Sequence, residues 1–216
     1  MDRQARHETL LELEREAWSR QVVVAGLDEA GAGPIAGPIV AGCAVIDEAG
    51  AAELVGVDDS KSLSAKARAA HAERIREHAV AWAVAEASVQ EIDRYNVLRA
   101  GLMAMRRALE SVQVQVEVQE LFLDAREIPE VRMPQHNLVK GDARSLSIAA
   151  ASILAKEARD AIMVEAGAQH PAYGFERHKG YGTAEHLAAL RAHGATAWHR
   201  RSFEPLRTML SQLSLF

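Results

Sequence analysis

The sequence predicts an α/β fold, a mixed central sheet flanked by helices, with a helical extension at its C-terminal end. Three observations carry this. Two short apolar runs, residues 22–28 and 37–46, lie close enough in sequence to pair antiparallel. Helical and strand-like periods then interleave, which suits a sheet with helices on its faces. Beyond residue 170 the remaining periodic segments are helical.

The elements follow in order. Residues 1–19 read as a helix in which Leu10, Leu11, Leu13 and Trp18 recur among charges. Val22-Val23-Val24-Ala25-Gly26-Leu27-Asp28 is a buried strand, stopped by Glu29-Ala30-Gly31-Ala32-Gly33-Pro34. A second strand covers residues 37–46. Ser64 is placed to cap a helix running to about residue 78. Residues 79–88 give a third strand and 97–109 another helix. Within residues 112–124 the second half, ending Leu121-Phe122-Leu123-Asp124, reads as a strand. Residues 145–167, rich in Ala, Ile and Leu, carry the longest helical signal. Helices over 183–193 and 204–213 close the chain. The organisation predicted is an N-terminal helix (1–20), a catalytic domain (21–170), a helical substrate-binding extension (171–211) and a tail (212–216).

The chain has 216 residues, 49% hydrophobic and 25% charged, enough for one domain with a real core. No run approaches the ~20 apolar residues of a membrane-spanning helix. The charged N-terminus lacks an apolar signal region, so a cytoplasmic protein is expected. Cys43, the sole cysteine, excludes internal disulfides and cysteine-based metal sites and fits a reducing compartment. The formal net charge of -5 argues against a polyanionic partner. Its distribution argues otherwise: residues 170–216 hold six Lys/Arg against three Asp/Glu, with five of the nine histidines. Such a segment can track phosphates while the acidic remainder faces solvent or metal.

Asp28 and Asp124 each end an apolar strand, the rigid position from which a carboxylate is presented to a hard cation such as Mg²⁺. Glu29 follows Asp28. Consecutive strand residues face opposite sides, so a shared site is expected to need a break in the strand, which Gly31 and Gly33 would permit. Asp142 and Asp160 compete as a fourth ligand. A helix rising ~1.5 Å per residue from about residue 145 to 160 spans roughly 20 Å, whereas paired ions stand only ~3.5–4 Å apart. Asp142, in the loop before the helix, is therefore the ligand expected, and Asp160 a structural pair.

The segment Gly26-Leu27-Asp28-Glu29-Ala30-Gly31-Ala32-Gly33-Pro34-Ile35-Ala36-Gly37-Pro38 closely resembles the opening motif of bacterial ribonuclease HII. The blocks Asp59-Ser60-Lys61, Leu123-Asp124, Lys140-Gly141-Asp142, 147–156, 178–183 and 199–203 follow in the family's order. The resemblance covers most of residues 22–207. It implies a ribonuclease H-like fold and an endoribonuclease that cuts the RNA strand of RNA/DNA hybrids. It also implies cutting 5′ of a single ribonucleotide in duplex DNA, leaving 3′-hydroxyl and 5′-phosphate ends. Asp28, Glu29, Asp124 and Asp142 match the family's metal quartet, implying two Mg²⁺ or Mn²⁺ ions. Gly31, Ala32 and Gly33 match the turn that senses the 2′-hydroxyl, and Tyr181 the tyrosine at the RNA–DNA junction. Lys61, Lys179, Arg200 and Arg201 are expected phosphate contacts.

One departure stands out. The family's turn is usually Gly-Arg-Gly and here it is Gly31-Ala32-Gly33, which removes a guanidinium and predicts weaker substrate binding with the metal site intact. The tail Gln212-Leu213-Ser214-Leu215-Phe216 resembles the bacterial sliding-clamp-binding pentapeptide, with Leu215 and Phe216 as apolar anchors. A monomer is the default expectation. The competing readings are another two-metal nuclease on the same fold, or a catalytically weakened hybrid- or clamp-binding protein.

Overall fold

The computed structural model describes residues 2–124 and 126–213. Helices α1 (Arg3–Leu10) and α2 (Glu12–Ser19) precede strands β1 (Val24–Ala30) and β2 (Ile39–Val45). Then come α3 (Glu48–Glu53), α4 (Ala65–His78), β3 (Ala81–Ala87), α5 (Val89–Tyr95) and α6 (Val97–Gln113). Strands β4 (Glu120–Asp124) and β5 (Gln135–Leu138) lead through a 3₁₀ turn, Gly141–Ala143, into α7 (Leu146–Gln169). Helices α8 (Phe175–His178), α9 (Ala184–His193) and α10 (Leu206–Leu213) follow.

The sheet is mixed, in the order β3-β2-β1-β4-β5. β2 lies antiparallel to both β1 and β3, while β4 runs parallel to β1 and β5. All seven residues of β2 are buried because helices cover both faces. On one face α6 packs Met105, Leu109 and Val112 against Leu27, Ile39 and Leu121. On the other, α7 lies so close to the sheet that a side chain at Gly42 would collide with the Ala151 carbonyl. That approach explains why α7 is apolar around its whole first half: α4 and the N-terminal helices cover its far side with Ile75, Leu10 and Leu11.

The N-terminal helix read from sequence is two helices, meeting at Leu11. Ser64 caps α4, accepting from the Ala67 amide at 3.2 Å. Segments α3, α5, α8 and β5 have no counterpart in the sequence reading. Beyond α7 the chain folds back onto the loop after β1. Ile35 and Ala36 amides donate to the Gly180 carbonyl at 3.0 and 3.2 Å, and Arg200 donates its amide to Ile35 O at 2.9 Å. Two small clusters, Met163–Tyr173–Phe175 with Ala36 and Leu190–Leu206 with Ile35, fix this contact. Among the described residues, no helix is long and apolar enough to cross a membrane.

Candidate active site

β1 delivers two of the four acids. Alternation turns Asp28 toward α7, where Ser152 lines the same cleft, and Glu29 toward Val97, Gly101 and Met105 of α6. The strand does not break between them, contrary to the expectation from sequence: Asp28 lies opposite Gly42 and Glu29 opposite Ala41. The two faces communicate differently. On its other flank β1 pairs with β4 only as far as Leu27 opposite Leu123, and β4 ends at Asp124. Beyond that point the flank is open, and a cleft of about 270 Å³ reaches around the end of β4, lined by Asp28, Glu29 and Asp124 together.

Asp142 comes from the 3₁₀ turn and stands beside this cleft, buried. Its turn is tied to the neighbouring acid: the Gly141 amide donates to Asp124 Oδ1 at 2.8 Å. Lys61 Nζ lies 3.7 Å from Asp142 Oδ2. Asp160 is held away from the cleft acids, accepting from Lys156 at 2.6 Å and Arg68 at 3.2 Å.

Burial, reinforced by Glu29 and Asp124, pushes the Asp28 carboxyl up to about 8. Burial and then Asp124 raise Glu29, with Lys61 and Arg126 opposing; burial and then Asp59 raise Asp142. Carboxylates that jointly resist ionisation lack positive charge, and a divalent cation supplies it. An all-oxygen donor set fits Mg²⁺ or Mn²⁺. Among the described residues, no three His, Cys, Asp or Glu side chains form a ready-made cage. A small hard cation that keeps waters and takes further ligands from substrate phosphate requires none.

The glycine turn forms another wall of the cleft, with Tyr181 beside it. Gly31 has φ 103°, a left-handed conformation, and a side chain there would meet the Arg159 guanidinium. Tyr181 is 51% exposed and sits next to Gly33. His186 fixes its backbone, Nδ1–H donating to Tyr181 O at 2.8 Å. His199 accepts the Thr196 amide on Nδ1 at 3.0 Å, so its Nε2–H donates to His186 Nε2 at 3.1 Å.

Arg200 requires a correction. Expected to touch phosphate, it is fully buried, and its guanidinium donates to the carbonyls of Gly37 (2.9 Å), Gly31 (2.6 Å), Ala32 and Pro38 (both 3.2 Å). Its donors are committed to backbone, so it braces the turn from behind. Lys61 is exposed and Lys179 half-buried, its Nζ donating to Glu176 O. Arg201 is exposed, its amide on Asp93 Oδ2 at 3.0 Å.

Ser152, Lys156 and Arg159 also line the cleft and were not singled out from sequence. Their spacing, a polar stripe along one face of an otherwise apolar helix, was the available signal. Arg159 duplicates the Arg200 device, donating to the carbonyls of Pro38 (3.0 Å), Ala36 and Lys179 (both 3.1 Å). Gln212 and Leu213 fall in α10, and Ser214, Leu215 and Phe216 lie outside the described residues.

The family model described as Ribonuclease HII matches residues 25–206. A curated Ribonuclease HII from Dechloromonas aromatica is 53% identical over 88% of this chain and 95% of its own length. The crystal structure of ribonuclease H2 from Pyrococcus horikoshii superposes with a TM-score of 0.74 at 27% identity, covering 89% of this chain and 99% of that one. Bst-RNase HIII in complex with Mn²⁺ shares the fold, with a TM-score of 0.72 at 22% identity over 90% of this chain and 71% of its own.

Proposed function

The chain belongs to the ribonuclease HII family, and from that premise we infer how its cleft works. It is an endoribonuclease, a phosphodiester hydrolase acting on RNA paired with DNA, and its family depends on divalent metal. The observation that carries the reading is the convergence of Asp28, Glu29 and Asp124 around the open end of β4, with Asp142 alongside and the glycine turn and Tyr181 opposite.

Asp28, Glu29, Asp124 and Asp142 would hold two Mg²⁺ or Mn²⁺ ions, whose charge activates water and stabilises the leaving 3′ oxygen. The protein supplies positioning. Arg200 occupies the carbonyls of Gly31 and Ala32, so the turn offers its amides to the ribose 2′-hydroxyl. The exposed Tyr181 ring packs at the RNA–DNA junction. Lys61, Lys179 and Arg201 steer backbone phosphates. The reaction is hydrolysis 5′ of a ribonucleotide, embedded singly in duplex DNA or within a longer RNA strand, giving 3′-hydroxyl and 5′-phosphate ends. The enzyme works as a cytoplasmic monomer, and residues 212–216, ending in Leu215 and Phe216, dock it on the bacterial sliding clamp.

Cleavage of duplex DNA carrying one ribonucleotide, with Mg²⁺ or Mn²⁺, tests the reading against Asp124→Asn. The wild-type chain is expected to cut once, 5′ of the ribonucleotide, and the variant not to cut. Binding without cleavage by either would favour a hybrid-binding module. Deleting residues 212–216 should abolish clamp affinity and spare cleavage of short duplexes.

A further inference from the structure

The cleft does not end at the carboxylates. Past Glu29, Ala32 and Asp124 it continues into a second hollow of about 170 Å³ whose floor is the apolar face of α6, Val97, Leu98 and Leu102 among it. Glu29, Ala32 and Asp124 line both spaces, so a strand lying across the acids would run on over Ala32 into this hollow. Among the described residues its one cation is Arg126, exposed, with its amide donating to Asp124 O at 3.1 Å.

Each cation lining the main cleft has a partner in the protein: Lys61 faces Asp142, Lys156 pairs with Asp160, and Arg159 is spent on backbone carbonyls. Among the described residues, Arg126 has no side-chain hydrogen bond or ion-pair partner, although its charge is close enough to act on Glu29. An unpaired guanidinium over an apolar floor, beside carboxylates that a bound ion would neutralise, is suited to a phosphate oxygen. Ala32 lines the same hollow and is too short to compete for that place.

We propose that Arg126 grips a backbone phosphate of the bound strand, serving the phosphate that an arginine at position 32 would otherwise reach. This rests on the hybrid-cleaving function above. A cation at either position satisfies one phosphate, and cations at both would crowd each other.

The test is a double-mutant cycle on Arg126→Ala, Ala32→Arg and the pair, in the full chain with Mg²⁺ and an RNA/DNA hybrid. Arg126→Ala should raise KM about tenfold, the worth of one charge-assisted hydrogen bond, with kcat little changed. The slope of log Kd on log salt, measured by anisotropy in EDTA where the hybrid stays whole, should fall by about one. Arg126→Lys should keep the slope, and Ala32→Arg should restore KM only when combined with Arg126→Ala. Unchanged KM and slope in Arg126→Ala would overturn the assignment, as would a defect that Ala32→Arg does not relieve. A wild-type chain that neither binds nor cuts the hybrid would instead overturn the function on which it rests.

Discussion

Glu14 of α2 accepts the Ser145 hydroxyl at 2.5 Å and the Ser147 amide at 3.0 Å, so a helix outside the sheet holds the start of α7. Ser145 caps α7, taking the Ile148 amide at 3.2 Å, and the turn just before it carries Asp142. From α1, Arg6 donates to Ala143 O at 3.0 Å and to Asp58 at 2.6 Å. Both N-terminal helices therefore hold the chain just after Asp142, at Ala143 and at Ser145–Ser147. Glu14→Ala leaves buried donors unmet and should cost about 1–3 kcal/mol, read as a lower urea midpoint, with weaker Mn²⁺ binding by calorimetry. Glu14→Gln keeps an acceptor and should recover much of both. Unaltered Mn²⁺ affinity in Glu14→Ala would detach these helices from the site.

The Asp28 carboxyl, held at about 8 by burial and its acidic neighbours, titrates near ~3.9 in an unfolded chain. Between those values the native metal-free protein binds a proton that the unfolded chain has lost, so stability falls as pH rises. Asp28→Asn removes that penalty. Its Tm without metal should exceed that of the parent, by a margin growing from pH 5 to pH 8, while cleavage disappears. A variant melting below the parent at pH 8 would contradict this origin of the shift.

Residues whose placement follows from local pattern were legible in the sequence. Asp28 and Asp124 could be nominated because each ends an apolar run, and helix length alone separated Asp142 from Asp160. The sheet's class followed from the spacing of β1 and β2. Glu29 was reached through the wrong geometry, because nothing local to β1 says that β4 stops short beside it. Arg200 was misread for a related reason: a guanidinium spent on four distant carbonyls looks, in sequence, like one free for phosphate. Strand β5, Gln-His-Asn-Leu, is a half-exposed edge without alternating apolar residues. Helix α5 was findable, since Ser88 and Glu91 form a reciprocal capping box.

Arg200 and Arg126 make opposite predictions. Arg200 is buried against backbone, among the described residues it has no ion-paired carboxylate, and burial followed by Arg159 opposes its charge, with Asp93 favouring it. A lysine cannot span four carbonyls. Arg200→Lys should therefore lose about 2–3 kcal/mol of stability and raise KM through a loosened turn. Its salt slope should stay that of the wild type, because no phosphate contact is removed. A shallower slope would return Arg200 to the substrate interface.

The His186–His199 pair sets an acid limit on the same region. His199 is buried among Tyr173, Phe175, His170 and His186, and burial followed by His186 lowers it to about 4. His186 is lowered too, chiefly by burial. Each ring is neutral in the hydrogen-bonded arrangement, and a proton on His186 Nε2 would set two N–H groups against each other. An unfolded histidine takes its proton near ~6.5. Below that value the unfolded chain binds protons that the native pair refuses, so stability is whole above about pH 6.5 and drains away toward pH 4. The urea midpoint should fall across this window, and His199→Gln should flatten the fall while lowering stability at pH 7.5. Because His186 holds the Tyr181 carbonyl, the same variant should raise KM at pH 7.5 with kcat largely kept. A midpoint that ignores pH between 6.5 and 4 in the parent would show the pair to be protonated without cost.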